Sequence, residues 1–190
     1  MPGALHIVTA RLRPDAPADG LTHAVEAARA LSDAPGAEDV LIGLDSERLV
    51  VATWLAGREA LDAFAESRQH MAFVMRGLAP VIRGMWSAAV EAEAAHPPAD
   101  TSALWVFAVP EREGIYEWQV RDFLSAVETL PGASAAGPTV EERERYRAGG
   151  VVCVRPAERA AFDAALVVAR QQWAEVAGGL EEATVPVLPA

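Results

Sequence analysis

The chain has 190 residues, 52% of them hydrophobic and 23% charged, which is the balance of a folded globular protein long enough to bury a sizeable core. Its net charge of −11 disfavours nucleic acid and acidic membrane surfaces as partners, because either would demand a basic face. All sixteen basic residues are Arg, so Schiff-base chemistry and a lysine-anchored pyridoxal cofactor are excluded, and the single Cys153 excludes an internal disulfide or a cysteine-rich metal site.

The N-terminal residues show no basic region leading into a long apolar run, and no stretch reaches about 18 uninterrupted apolar residues, so a cytoplasmic protein is expected. In chain order, Leu5–Leu12 predicts a strand. Leu21, Ala24, Val25, Ala28 and Leu31 recur at helical spacing, and Pro35-Gly36 ends that helix. Val40–Leu44 and Arg48–Leu55 read as strands joined by a hairpin turn at Asp45-Ser46-Glu47. A helix with Leu61, Phe64 and Ala65 on one face follows, then helix from Gln69 to Leu78 and a strand over Met85–Glu91. The order is βαββαβ.

His96-Pro97-Pro98-Ala99 is a linker candidate almost at the midpoint, dividing the chain into repeats at 1–95 and 101–190 with a linker at 96–100. The order then recurs. Ala103–Val109 predicts a strand and Trp118–Leu130 a helix ended by Pro131-Gly132, as Pro35-Gly36 ended the first. Residues 139–147 read as a solvated edge strand or a loop, Gly150–Arg155 as a buried strand, Ala157–Leu180 as helical and Thr184–Leu188 as the last strand. Leu49–Leu55 and Val151–Val154 are apolar at nearly every position, which implies burial on both faces. The α+β reading is therefore two tandem ferredoxin-like repeats whose sheets cover each other.

The stretch Val50-Val51-Ala52-Thr53-Trp54, Glu59-Ala60-Leu61, Phe64, Ser67 and His70-Met71-Ala72-Phe73 resembles antibiotic biosynthesis monooxygenase-like domains. The resemblance covers about the first 95 residues, and the second half only through its order of elements. It implies a dimeric α/β-barrel closed within one chain, which is then a monomer (a pseudo-dimer) or a homodimer. It also implies cofactor-independent oxygenation of an aromatic or polyketide-like small molecule in secondary metabolism, with no metal or other cofactor. Trp54 matches the family's strand-end Trp, whereas Val50 stands where an Asn would, and the chain contains no Asn. The alternatives are a non-catalytic binding or structural barrel and, third, a haem protein. Against haem, Val74 falls where the family's axial His would sit, with His70 one turn away, and no His follows His96.

From the residues themselves, His70 is the candidate general base and Trp54 the candidate stacking platform, with His6, Arg76, Phe64 and Phe73 around the substrate. The plain alternatives are a hydrogen-bonded structural His70, a core Trp54, an edge His6 and a surface Arg76. His23 reads as solvated and His96 as part of the linker. Trp105, Tyr116, Trp118 and Trp173 read as core and inter-repeat packing, and Cys153 as a buried small hydrophobe.

Overall fold

The computed structural model describes residues 3–92, 96–140 and 145–189. The first repeat runs β1 (Gly3–Leu12), α1 (Ala18–Arg29), β2 (Ala37–Leu44), β3 (Arg48–Leu55), α2 (Glu59–Ala65), α3 (Arg68–Ala72) and β4 (Ile82–Ala92). The second runs β5 (Ala103–Pro110), α4 (Glu117–Val127), β6 (Ala133–Pro138), β7 (Tyr146–Val154), α5 (Arg159–Gln172), α6 (Ala174–Ala177) and β8 (Glu181–Pro186). Each forms a four-stranded antiparallel sheet, ordered β2-β3-β1-β4 and β6-β7-β5-β8. The two orders are the same when counted by repeat, as expected of a duplicated split βαβ unit. The proposed boundary at residue 95 lies outside the described residues, while His96–Asp100 carries no helix or strand.

The matched Pro-Gly stops have one physical cause. Gly36 and Gly132 both sit at positive φ, +76° and +126°, where a side chain is strained. Both also lie against the following unit: a Cβ on Gly36 would stand 2.5 Å from Ala60 Cβ, and one on Gly132 2.8 Å from the Cys153 carbonyl oxygen. At the β2–β3 turn the Asp45 carboxylate accepts from the backbone N–H groups of Glu47 and Arg48, both at 2.7 Å.

Apolar residues on β3 serve two layers. Leu49, Val51 and Leu55 join Ala4 and Val8 of β1 under the helices, while Val50, Ala52 and Trp54 face the second sheet with Leu5 and Ile7. Leu104, Val106, Val151 and Cys153 complete that middle layer from the other side. A third layer, built on Trp105, Phe107, Phe123 and Phe162, lies between the second sheet and its helices. Closure is made by the backbone at both edges: Val90 of β4 bridges Thr139 after β6, and Gly43 of β2 bridges Val187 after β8. The halves thus form a closed barrel within one chain, and no sheet edge is left unmanaged there.

Three sequence expectations are corrected. The outer strand of the second repeat is Ala133–Pro138, not residues 139–147. Of that segment, 141–144 lie outside the described residues, and Tyr146 and Arg147 already belong to β7. The strand Ala-Ser-Ala-Ala-Gly-Pro is made of poor strand formers because space, not propensity, selects them. A Cβ on Gly137 would meet the Glu91 carbonyl oxygen at 1.7 Å, and one on Gly150 would meet Ala136 Cβ at 2.5 Å. The helix expected from Gln69 to Leu78 is α-helical only to Ala72 and continues as a π-helical stretch, Phe73–Leu78. Tyr116 and Trp118 are not core: both are more than half exposed, because the apolar face of α4 is carried by Val120, Phe123 and Val127.

Candidate functional site

The sequence-selected residues fall on two faces of the first sheet. His6 leaves β1 on the same side as Ala4 and Val8, toward the helices, and there it meets Phe64 of α2 and His70 of α3. The three rings form a triangle with centroid separations of 5.4 Å (His6–Phe64), 5.4 Å (His6–His70) and 5.1 Å (Phe64–His70). Phe73 is fully buried in the same layer. Trp54 is not part of this group. It points into the layer between the sheets, is 3% exposed, and its indole N–H has no hydrogen-bond partner among the described residues. Side chains alternate along a strand, so neighbouring positions on β3 serve opposite faces and Trp54 is carried away from His70. Arg76 sits on the π-helical stretch and is exposed.

His70 is placed by two hydrogen bonds. Ser67 caps α3, its hydroxyl accepting from the His70 backbone N–H at 3.1 Å. The imidazole Nδ1 lies 2.9 Å from the Ala65 carbonyl oxygen at the end of α2. A carbonyl can only accept, so Nδ1 carries the hydrogen and Nε2 carries the lone pair of a neutral imidazole. Burial holds the His70 pKa below its ordinary 6.5, opposed by the bond to Ala65. Burial, with His70 beside it, drives His6 much further, down to about 3. Both rings are neutral at pH 7. Each nevertheless keeps some accessible surface.

Thr53 is a further candidate, not singled out by the sequence reading. It pairs with His6 across β1 and β3, so the two side chains share the helix-facing side. It is fully buried, and its hydroxyl has no partner among the described residues. A lone Thr inside Val50–Leu55 was the available signal.

The second repeat has filled the corresponding place. Ala4 and Ala103 both pair with the last residue of their neighbouring strands, Leu55 and Val154, so His6 corresponds to Trp105 and Thr53 to Val152. Trp105 stacks on Phe107 at 4.8 Å, packs on Phe162, and donates its indole N–H to Glu182 at 2.7 Å. One half keeps titratable and hydroxyl groups where the other has an aromatic core.

Elsewhere, a cleft of about 600 Å³ lies beside α4, lined by Glu117, Val120, Arg121, Tyr146 and Arg147 among others. The Arg147 guanidinium there is bound by both Glu111 carboxylate oxygens and donates to the Ile115 carbonyl at 2.9 Å. A second cleft, of about 440 Å³, opens between the two halves around Arg11 and Trp86. None of the sequence-selected residues lines either one. His23 is exposed, as expected. His96 bonds through Nδ1 to Asp39, which raises its pKa and ties the linker to β2. Cys153 is 1% exposed, and burial pushes its thiol up to about 12, so it is no nucleophile. Among the described residues no three His, Cys, Asp or Glu side chains are grouped to hold a metal ion, and no helix is long and apolar enough to cross a membrane.

Fold and topology define a tandem ferredoxin-like protein with an intramolecular dimeric α/β-barrel. No sequence-family model matches the chain, and no curated protein matches it significantly. Solved structures do. An anthrone oxidase-like protein shares 12% identity with a TM-score of 0.67, covering 100% of this chain and 92% of its own. A protein of Fusobacterium nucleatum provisionally named a monooxygenase shares 10% identity at 0.61, covering 99% and 93%. A protein provisionally named a chlorite dismutase shares 9% at 0.62, covering 100% and 96%. At such identities the likeness is one of fold, and it agrees with the monooxygenase-like resemblance of the Trp54–Phe73 region.

Proposed function

We propose that the chain is a cofactor-independent monooxygenase-like enzyme acting on an electron-rich aromatic or polyketide-type molecule of secondary metabolism, with its centre in the first repeat. One observation carries this reading: His70 is a neutral imidazole whose Nδ1–H is fixed on Ala65, leaving Nε2 as a base beside His6. In this reading Nε2 removes a proton from an activated CH₂ of the substrate. The carbanion passes electrons to dioxygen, and the collapse of the resulting peroxide expels water. The balance is CH₂ + O₂ → C=O + H₂O, with dioxygen as the oxidant. His6 forms the wall against which the ring system stacks, with the buried Phe64 behind it, and the Thr53 hydroxyl donates to the developing oxyanion. Phe73 backs the wall, and the exposed Arg76 of the same helical segment serves as a ligand for an anionic oxygen. Trp54 takes no part at this centre and supports the barrel interior. The barrel closes within one chain, so the monomer is the functional unit of this reading.

The test is oxygen uptake with a panel of anthrones and quinols. Uptake equimolar with substrate, abolished by His70→Asn and with its acid limb below pH 6.5, supports the reading; the direction of that limb follows from the lowered His70 pKa. Uptake unchanged in His70→Asn, or none with any substrate, overturns it. A non-catalytic binding barrel is the second reading, favoured because both described clefts lie away from the His6–His70 pair. Saturable binding of the same compounds without oxygen uptake would select it.

A further inference from the structure

The 440 Å³ cleft lies at one end of the layer between the sheets, and both repeats build it. Arg11 is the last inward-facing residue of β1, one pleat beyond Thr9, and it pairs with Gly84 at the start of β4. Arg83 of β4 and Arg145, just before β7, complete a set of three guanidinium groups. One carboxylate serves two of them. Glu181 at the start of β8 places Oε2 3.6 Å from Arg11 and Oε1 3.9 Å from Arg145, so it draws together arginines from opposite halves. The cleft keeps a local excess of two positive charges on a chain whose net charge is −11. Trp86, 7% exposed, supplies an apolar floor. Immediately behind, Thr9 pairs with Trp86 and is 2% exposed, with a hydroxyl that has no partner among the described residues.

We infer that this barrel end is a binding site for a small organic anion with a planar apolar body, of the aryl di- or polycarboxylate class. Guanidinium groups match carboxylates in geometry, and an indole suits a flat ring better than it suits a hydrated inorganic ion. Glu181 preorganises the arginines and also competes with the ligand for them. That dual role distinguishes a site from a surface ion pair: removing the carboxylate of a surface pair gains nothing, whereas removing Glu181 frees two arginines for the ligand.

The experiment is calorimetric titration of the full chain with benzene-1,2-dicarboxylate and, separately, inorganic phosphate, at low and at high salt. Saturable, salt-sensitive binding of the dicarboxylate is expected, at least tenfold tighter than phosphate. Arg11→Gln and Arg83→Gln should each weaken it about tenfold, and Glu181→Gln should tighten it several-fold. Arg121→Gln, in the other cleft, should leave it unchanged, and circular dichroism of each variant checks folding. Phosphate binding as tight as the dicarboxylate, binding indifferent to the three cleft substitutions, or no saturable binding would each overturn the inference. The proposal is independent of the His70 chemistry, since no outcome here uses oxygen uptake.

Discussion

Replacing His70 by alanine and by asparagine separates what its ring holds together from what its ring does. The Nδ1–H bond to Ala65 joins the end of α2 to α3, and such a bond contributes about 1 kcal/mol. Ring contacts with His6 and Phe64 add about another 1 kcal/mol. Alanine loses both, so His70→Ala should cost about 2 kcal/mol, which for a cooperative unit of this size lowers Tm by about 4–8 °C. Asparagine places its amide Nδ2 near the position of Nδ1 and keeps the donor, so His70→Asn should lose only about half as much. Neither side chain offers a base at the Nε2 position. Under the proposed function both variants should therefore lose about 10²- to 10⁴-fold in turnover, the usual contribution of a general base. Paired thermal unfolding and oxygen-uptake assays read the two effects separately. An Asn variant as unstable as Ala refutes the assigned hydrogen bond. An Asn variant that turns over normally refutes the base.

Four further outcomes follow from the same geometry. Because His6 is held at about 3 when folded and titrates near 6.5 when unfolded, its stabilising contribution is full above pH 6.5 and is lost as pH falls toward 3; the loss between pH 7 and 5 is at most about 2 kcal/mol, and His6→Leu should flatten that slope in denaturant melts. Thr53→Val keeps the shape and removes a buried unpartnered hydroxyl, so it should stabilise by about 1 kcal/mol in urea unfolding while lowering turnover if the hydroxyl serves the oxyanion. Gly137→Ala forces a Cβ to within 1.7 Å of the Glu91 carbonyl and should cost about 3 kcal/mol, with hydrogen exchange rising first at the β4–β6 seam. Hemin should give no stoichiometric Soret band, because a macrocycle at His70 would have to displace the rings of His6 and Phe64, whose centroids lie 5.4 and 5.1 Å from its own.

Much of the fold was legible because the signals behind it are local. Pro-Gly stops at 35–36 and 131–132 end their segments through backbone geometry that glycine alone adopts easily, and the unbroken apolar run of β3 announces burial on both faces. β6 was illegible for the opposite reason. Its small residues answer to the Glu91 backbone and to Gly150, which are distant in sequence, so nothing within Ala133–Pro138 announces a strand. What was legible of the candidate site is which residues lie together. His6, Phe64, His70 and Phe73 could be picked out by residue type and helical phase, and the fold gathers them. Trp54 lies in the other layer by parity: on a strand, one position decides which layer a side chain enters, and a motif match cannot supply that. The change from α- to π-helix after Ala72 has no local signal in the sequence.

Joining the two halves in one chain changes what each may become. In a barrel made from two identical subunits, a substitution that improves the core of one must appear in the other, and any site is duplicated with it. Here the pairs His6/Trp105 and Thr53/Val152 have diverged at equivalent positions, one half toward titratable and hydroxyl groups and the other toward a dense aromatic layer. The dense half holds its indole on Glu182 and stacks four aromatic rings, which stabilises the barrel in aggregate. The first half carries a neutralised His6, the unpartnered Thr53 hydroxyl and a π-helical stretch, while the second leaves the buried Trp173 indole N–H without a partner among the described residues. Retaining such features is tolerable when a covalently linked partner supplies the compensating stability. That asymmetry is one of packing: aromatic rings fill in the second repeat the place that His6 and Thr53 occupy in the first.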